Sequence, residues 1–268
     1  MTDLKMVVAD MDGTLLRDDG TVPDSFWPLL DEMRERGIVF VPASGRQYYT
    51  LQKLFERSPE GLSYIAENGN LVAHDGRLEA VGTVDQSVTD EVVSTVRAAY
   101  EHGRDLGLVV CGVAGGYVER HDRPFVDECD KYYVRLDRID DLDEIDDQIL
   151  KLAVYDFEDA ETAAGRYFAE LADRTQVVVS GRNWIDIMSP GVDKGVGVRA
   201  LQSDLGISPA QTVVFGDYLN DLQMLDAADR SYAMANAHPE VRARATHLAP
   251  SNDDEGVVQV LRRLLSGG

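Results

Sequence analysis

The feature that most constrains this chain is a short apolar run that ends in two carboxylates. Met6-Val7-Val8-Ala9 has the composition of a strand buried on both faces, and it stops at Asp10-Met11-Asp12-Gly13. Acids directly behind such a strand lie at its carboxyl end, where open α/β sheets hold ligands. In an extended segment residues i and i+2 face the same side, so Asp10 and Asp12 are expected to address one site. Their hard oxygens suit Mg²⁺, and two acids can divide nucleophilic work from acid–base work. A solvated Asp-x-Asp-Gly turn is the bland outcome for such a string. The buried strand before it and Thr14-Leu15-Leu16 after it favour a site.

The rhythm of the chain supports a sheet around that strand. Residues 24–36 read as a helix with Asp24 as its cap and Gly37 as its stop, 38–43 as a second strand, and 47–55 as a second helix. Short β-α-β-α connections indicate a parallel sheet with helices on its faces. A strand at 63–66 and a hairpin at 71–73 and 77–81, turning at His74-Asp75-Gly76, follow. Past Gly82 the pattern changes to a helix at 87–100 and strand-like runs at 108–111, 117–119, 132–136, 150–156, 176–180 and 184–188. One further helix, at 159–172, lies among them, and two helices on one face of several strands describe an α+β module. The α/β alternation returns with a helix at 194–205, a strand at 212–215, a helix at 219–227, a strand at 231–233 and a closing helix at 255–265. The expected architecture is an α/β, Rossmann-like parallel-sheet core (residues 1–82 and 188–268) interrupted by an α+β insertion (83–187). Gly- or Pro-containing crossings, Val81-Gly82-Thr83 and Ser189-Pro190-Gly191, mark its edges.

Charge narrows the partners. With 48 acids against 26 bases the formal charge is −22, a field that repels nucleic acid and anionic membrane. It also repels phosphorylated molecules, so any phosphate site must be built locally from cations, metal and backbone N–H groups. At 44% hydrophobic and 28% charged residues the composition is that of an ordinary soluble domain. No apolar stretch approaches the roughly 20 residues of a membrane span, and Met1-Thr2-Asp3-Leu4-Lys5 does not start a signal peptide. Cys111 and Cys129 make no disulfide framework. A cytoplasmic monomer or weak homodimer is expected. The dense acidic run at 140–147 reads as a solvated face, with Leu142 and Ile145 turned inward.

Three further segments can carry chemistry. Ser44-Gly45 follows the second strand and is expected to open a helix, whose N–H groups and dipole would form an anion site with the Ser hydroxyl as an added donor. Simple capping by Ser44 is the alternative. Arg46 either orients this loop or reaches substrate. Lys194 starts a helix, where a cation opposes the dipole at a cost of about 0.3–1 kcal/mol. A local rule broken at a helix end tends to mark a site, against the alternative of a surface lysine reaching into water. Gly216-Asp217-Tyr218-Leu219-Asn220-Asp221 puts a second acid cluster behind another strand, which is what one metal with ligands from separate segments requires. A plain Asp-rich helix cap is the alternative there.

These motifs, in this order, resemble the four motifs of the haloacid-dehalogenase superfamily of phosphohydrolases. Asp10-Met11-Asp12-Gly13-Thr14-Leu15 is similar to the first, Ser44-Gly45-Arg46 to the second, Lys194 to the third, and the Gly-Asp-x-x-Asn-Asp string at 216–221 to the fourth. Tyr218 stands where the family often has a small residue. Glu67-Asn68-Gly69, Ala233-Met234-Ala235-Asn236-Ala237 and Asn252-Asp253-Asp254-Glu255-Gly256-Val257 resemble the Cof-type branch with an α+β cap. Gln47-Tyr48-Tyr49, Cys111-Gly112 and Ile185-Asp186 resemble a bacterial sugar-phosphatase subgroup, with Asp186 where Glu is commoner. The resemblance implies that Asp10 attacks phosphorus and that Asp12 protonates the leaving group and then activates water. It implies that Ser44, Gly45, Arg46, Lys194 and Asn220 meet the phosphate or substrate, and that Asp10, Asp12, Asp217 and Asp221 serve Mg²⁺. The insertion would close over the site and select the substrate.

The expected function is a Mg²⁺-dependent phosphomonoester hydrolase acting on small phosphorylated metabolites, sugar phosphates first, with flavin mononucleotide or pyridoxal phosphate as outsiders. A phosphosugar mutase could use the same motifs, and a phosphometabolite-binding regulator without catalysis is the rival from another class. A dehalogenase has no need of an acid at Asp12.

Overall fold

The computed structural model describes residues 3–58, 60–180 and 182–267; Met1 and Thr2, part of the stretch read above for a leader, lie outside them. The strands are β1 (Met6–Asp10), β2 (Val39–Ala43), β3 (Tyr64–Ala66), β4 (Leu71–His74), β5 (Arg77–Ala80), β6 (Leu106–Gly112) and β7 (Gly116–Val118). They continue as β8 (Leu136–Arg138), β9 (Ile149–Asp156), β10 (Gln176–Val179), β11 (Trp184–Met188), β12 (Thr212–Gly216), β13 (Arg230–Met234) and β14 (His247–Ala249). The chain divides into two compact units, one of Met1–Val81 with Asp193–Gly268 and one of Gly82–Val192. The second crossing falls later in the chain than the expected junction after Ile187. Met188 is the last residue of β11 and pairs with Lys151, and the chain leaves that unit through Ser189-Pro190-Gly191-Val192.

The discontinuous unit is built on an eight-stranded sheet in the order β14-β13-β12-β1-β2-β3-β4-β5. Strands from β14 to β3 run parallel, and the β4–β5 hairpin adds an antiparallel edge. Every residue of β1 is buried, as a strand covered by helices on both faces must be. The register aligns Ala9 with Phe215 on one side and Asp10 with Ala43 on the other. The carboxyl ends of β1, β2 and β12 therefore finish level with one another. The connection after β1 leads to β2 on one side, and β12 flanks the other, so a crevice opens at this point of the sheet.

Helix boundaries differ locally from the sequence expectation. Asp24 does not cap a helix: it opens a tight turn, Asp24–Phe26, behind Pro23, and its carboxylate pairs with Arg57 at 2.8 Å. Pro28 is tolerated only in the first helical turn, so the α-helix starts at Trp27 and ends at Glu35, with Gly37 at φ +66° behind it. The stretch expected as one helix at 219–227 is a tight turn, Leu219–Asp221, followed by a short helix, Leu222–Leu225. A helix at Pro239–Arg244 and the edge strand β14 carry too few apolar residues to be read from periodicity.

The inserted unit is a six-stranded sheet in the order β10-β11-β9-β6-β7-β8, antiparallel except for the β7–β8 pair. The helix Gln86–Glu101 lays Val88, Val92 and Val96 on Leu108, Val110, Leu152 and Val154, together with Phe168 from the 159–172 region. That region is a broken helical segment, Ala160–Ala163 passing into wide and then tight turns, with Gly165 inside the break. The other face of the sheet carries a helix that sequence reading missed, Arg123–Cys129, capped by Asp122 with Pro124 in its first turn. Phe125 and Cys129 pack there on Val109, Cys111, Ala153 and Tyr155. The run 132–136 is accordingly a turn followed by β8, and not a strand throughout. Tyr133 enters the core from that turn while Tyr132 stacks edge-on against Trp184, so burial and ring contact, rather than a ladder, use the aromatic residues that suggested β structure. Among the described residues no helix is long and apolar enough to cross a membrane.

One glycine fixes how two site segments meet. Gly195 lies inside the helix Lys194–Leu205, and a Cβ there would come within 2.2 Å of the Gln223 carbonyl oxygen. Replacing a helical Gly by Ala ordinarily stabilises; here the contact reverses the sign. Gly195→Ala should lower unfolding stability by about 1–3 kcal/mol, the usual cost of overpacking, as read by urea denaturation. A variant as stable as the parent would mean that these two segments can separate freely.

Candidate functional site

Side chains from the ends of β1 and β12, together with the helix that starts at Lys194, converge on one buried cluster. Lys194 is 1% exposed, and its Nζ donates to Asp10 Oδ1 at 2.6 Å and to Asp221 Oδ1 at 2.8 Å. The surface-lysine alternative is thereby removed. The second oxygen of Asp221 accepts from the backbone N–H of Asp217 (2.9 Å) and of Tyr218 (3.2 Å). Asp217 Oδ1 accepts from the Thr14 hydroxyl at 3.0 Å. Gly13, at φ +74°, brings the loop after β1 so near that a Cβ would lie 2.4 Å from Asp217 Oδ2. Asn236 Nδ2 donates to the Gly13 carbonyl oxygen at 2.8 Å and so ties this loop to the segment after β13.

Asp10, Asp217 and Asp221 can each offer one oxygen, all within 4.8 Å of one another. Among the described residues one ammonium lies among these three carboxylates, so in their ionised forms they leave two negative charges uncompensated in a largely buried place. A divalent cation with a preference for hard oxygen ligands is the complement to that donor set. Asp221 has both oxygens engaged by Lys194 and backbone N–H groups, which leaves Asp10 and Asp217 best able to give an oxygen directly.

Asp12 is not part of this cluster, contrary to the expected metal set. It lies past the end of β1 in the wide turn that follows, so the alternation of a strand does not apply to it. Its side chain is 60% exposed against 8% for Asp10. Arg46 holds it in a two-pronged contact, Nε to Oδ2 at 2.8 Å and Nη2 to Oδ1 at 2.6 Å, the geometry in which a guanidinium fixes a carboxylate most firmly.

Ser44 likewise departs from the helix-start reading. The helix after β2 begins at Tyr48 with Gln47 before it, and no side chain caps it. Ser44 is buried at the end of β2, and its Oγ accepts from the Arg46 N–H at 3.2 Å. Whatever anion chemistry this loop performs comes from the loop and not from a helix dipole. Asn220 is exposed, and its Nδ2 donates to Asn68 Oδ1 at 3.2 Å. Tyr218 is also exposed, edge-on to His238. Thr14, Asn68 and Asn236 are the polar groups sequence reading did not single out for this site. The available signals were the Glu67-Asn68-Gly69 string and the Asn-bearing tail motifs.

The electrostatics follow from the packing. Burial raises the Asp10 carboxyl well above its ordinary value; Lys194 opposes this, while the charges of Asp221 and Asp217 add to it. Asp217 is pushed up to about 6, by burial first and then by Asp221. Burial works against the Lys194 ammonium, yet Asp10 and Asp221 outweigh it and raise its pKa above the ordinary lysine value.

With this geometry in place, the family can be assigned. Residues 7–261 match the haloacid dehalogenase-like hydrolases. The chain belongs to that family. It is similar over 265 residues, at 33% identity, to the 5-amino-6-(5-phospho-D-ribitylamino)uracil phosphatase YbjI of Escherichia coli (strain K12), covering 98% of this chain and 96% of that protein. A protein of Bacillus subtilis (strain 168) named for the same activity, YitU, is 24% identical, with 97% of each covered. A crystal structure from Eubacterium rectale superposes with a TM-score of 0.87 at 26% identity, over 97% of this chain and 99% of that one. The hydrolase fold is thus shared along the full length of both units.

The raised Asp217 carboxyl gives this hydrolase a testable pH signature. In a chelating buffer the folded form keeps a proton, between pH 3.8 and about 6, that the unfolded chain has released. That contribution to stability is present at low pH and lost as pH rises through about 6. Asp217→Asn removes it, so relative to the parent the variant should gain thermal stability from pH 4 to about pH 6 and level off above that. Melting curves of both proteins across that range check this, and a pH-independent difference would contradict the shift.

Proposed function

We propose that this hydrolase is a Mg²⁺-dependent phosphomonoesterase that works through an aspartyl-phosphate intermediate on small sugar or polyol phosphates. The observation that carries the reading is the division of its first two acids: Asp10 lies buried against Lys194, and Asp12 stands apart, exposed and held by Arg46. Asp10 acts as the nucleophile in this reading, and its hydrogen bond from the Lys194 ammonium, which orients one oxygen, supports that role. Lys194 also lends positive charge to the incoming phosphoryl group, as do the polar groups of Ser44, Gly45 and Asn220 at the neighbouring strand ends. Asp10 and Asp217 would hold Mg²⁺, with Asp221 supporting them from behind. When bound, the ion supplies neutralisation of the charge on the phosphoryl oxygens.

In the first half-reaction an Asp10 oxygen forms a bond to phosphorus as the ester P–O bond breaks, and Asp12 gives its proton to the leaving alkoxide. In the second half-reaction Asp12 takes a proton from water, the water oxygen attacks phosphorus, and the Asp10–phosphorus bond breaks to release inorganic phosphate. Arg46 keeps Asp12 in one orientation throughout. The reading of the substrate as a polyol phosphate is supported by two relatives named for a phosphoribityl compound, whose ester leaves as a poor, strongly basic alkoxide. Such a leaving group needs a general acid. The inserted unit is assigned the choice among substrates, since none of the residues given a chemical role lies within it.

Phosphate release from a panel of sugar, polyol and nucleotide monophosphates tests the proposal. Turnover should appear with Mg²⁺, vanish in excess chelator, and be absent in Asp10→Asn, whose amide is a very poor nucleophile. Full activity in chelator would remove the metal from the scheme.

Asp12→Ala should slow polyol phosphate hydrolysis by about 10²–10⁴, the usual worth of a positioned acid–base group. p-Nitrophenyl phosphate, whose leaving group barely needs a proton, should lose much less. Equal losses on the two substrates would take the acid role away from Asp12.

A further inference from the structure

Residues 67–69 form a backbone conformation unique among the described residues, three left-handed residues in succession. Glu67 has φ +50°, Asn68 φ +56° and Gly69 φ +99°. Side chains disfavour this region, although Asn tolerates it better than most. Such a conformation persists only where its surroundings over-determine it.

Here the surroundings are three of the segments assigned to the phosphate. A Cβ on Gly69 would lie 2.1 Å from the Asp193 carbonyl oxygen and 3.0 Å from the Lys194 nitrogen, so the turn rests on the start of the lysine-bearing helix. The Asn68 N–H donates to the Ser44 carbonyl oxygen at 3.0 Å. The Asn68 carboxamide covers Gly45, where a Cβ would meet Oδ1 at 2.9 Å and Nδ2 at 3.0 Å. That carboxamide also accepts from Asn220 Nδ2 at 3.2 Å.

We infer that Asn68 is a positioning residue for phosphate: its carboxamide sets Asn220 and the Ser44-Gly45 loop relative to one another where the phosphoryl oxygens bind. The inference rests on the phosphatase reading above and adds to it a residue with no direct part in the bond-making steps. The left-handed backbone is the means by which this short amide reaches over Gly45 towards Asn220. Asn68 acts on the site through those two neighbours.

The competing explanation is that Asn occupies position 68 only because it suits a left-handed backbone. Glycine suits that backbone better still, so Asn68→Gly separates the two. The parent, Asn68→Gly, Asn220→Ala and the double variant are compared in p-nitrophenyl phosphate hydrolysis, in inhibition by inorganic phosphate, and in calorimetric binding of inorganic phosphate. Asn68→Gly should melt at or near the parental temperature. Its KM and its dissociation constant for phosphate should rise about tenfold, the upper worth of one neutral hydrogen bond, with kcat changed by no more than about twofold. The loss in the double variant should fall short of the product of the two single losses, because Asn68 acts in part through Asn220. Parental phosphate affinity in Asn68→Gly, or losses that multiply in the double variant, would overturn the inference. Absence of phosphate release by the parent from every ester would instead overturn the phosphatase reading, and the calorimetric comparison would still decide the role of Asn68.

Discussion

The ammonium of Lys194, buried between Asp10 and Asp221, is the interaction on which the rest of the core depends. A lone buried charge costs several kcal/mol, and removing one partner of a buried pair leaves that cost unanswered. The lysine at its helix start, Asp10 at the end of β1 and Asp221 behind β12 therefore have to be in place together. Close backbone approach follows from the same demand. Gly13, Gly195 and Gly216 sit where a Cβ would come within 2.4 Å of Asp217, 2.2 Å of the Gln223 carbonyl and 2.7 Å of Asp221. These glycines are explained by the charge cluster more than by turn geometry, since only Gly13 of the three has a left-handed backbone.

What the sequence made legible was what strand ends can encode. A buried apolar run followed by acids marks the end of a parallel strand, and two such ends, β1 and β12, are neighbours in the sheet. Lys194 was legible as a cation at the wrong end of a helix. Less legible was the direction of a side chain just past a strand. Asp12 follows Asp10 by two positions, yet the turn after β1 carries it out to Arg46 instead of into the cluster. Ser44 failed as a helix cap for the same kind of reason, because the backbone between Gly45 and Gln47 stays extended or turned before the helix begins. Periodicity describes the interior of an element and says little about the two or three residues beyond it, which is where this site is built.

The inserted unit was harder to read. Its long elements, the helix Gln86–Glu101 and strands β6 and β9, have strong apolar patterns and appear where the pattern places them. The helix Arg123–Cys129 has only two turns, and its start signals, Asp122 and Pro124, compete with a following run rich in Tyr and Val. Tertiary burial of Phe125, Cys129 and Tyr133 on one sheet face settles that contest, and such burial cannot be weighed from a local window.

The three carboxylates that suit a divalent cation also weaken the fold when no cation is present. Burial, and after it the charge of the neighbouring carboxylates, raises the Asp10 and Asp217 carboxyls, and a core chosen for stability alone would replace at least one of them by a neutral group. Retaining all three is the trade expected where function needs charge that folding does not. The same cluster faces a second electrostatic problem, because a chain of net charge −22 must admit an anionic phosphate. Lys194 is already shared between Asp10 and Asp221, and Arg46 is engaged with Asp12. The cation proposed for Asp10 and Asp217 would therefore cancel the local excess of negative charge before phosphate arrives. Cation and phosphate binding at the site would then reinforce one another, and an occupied site would relieve the charges that the empty fold must tolerate.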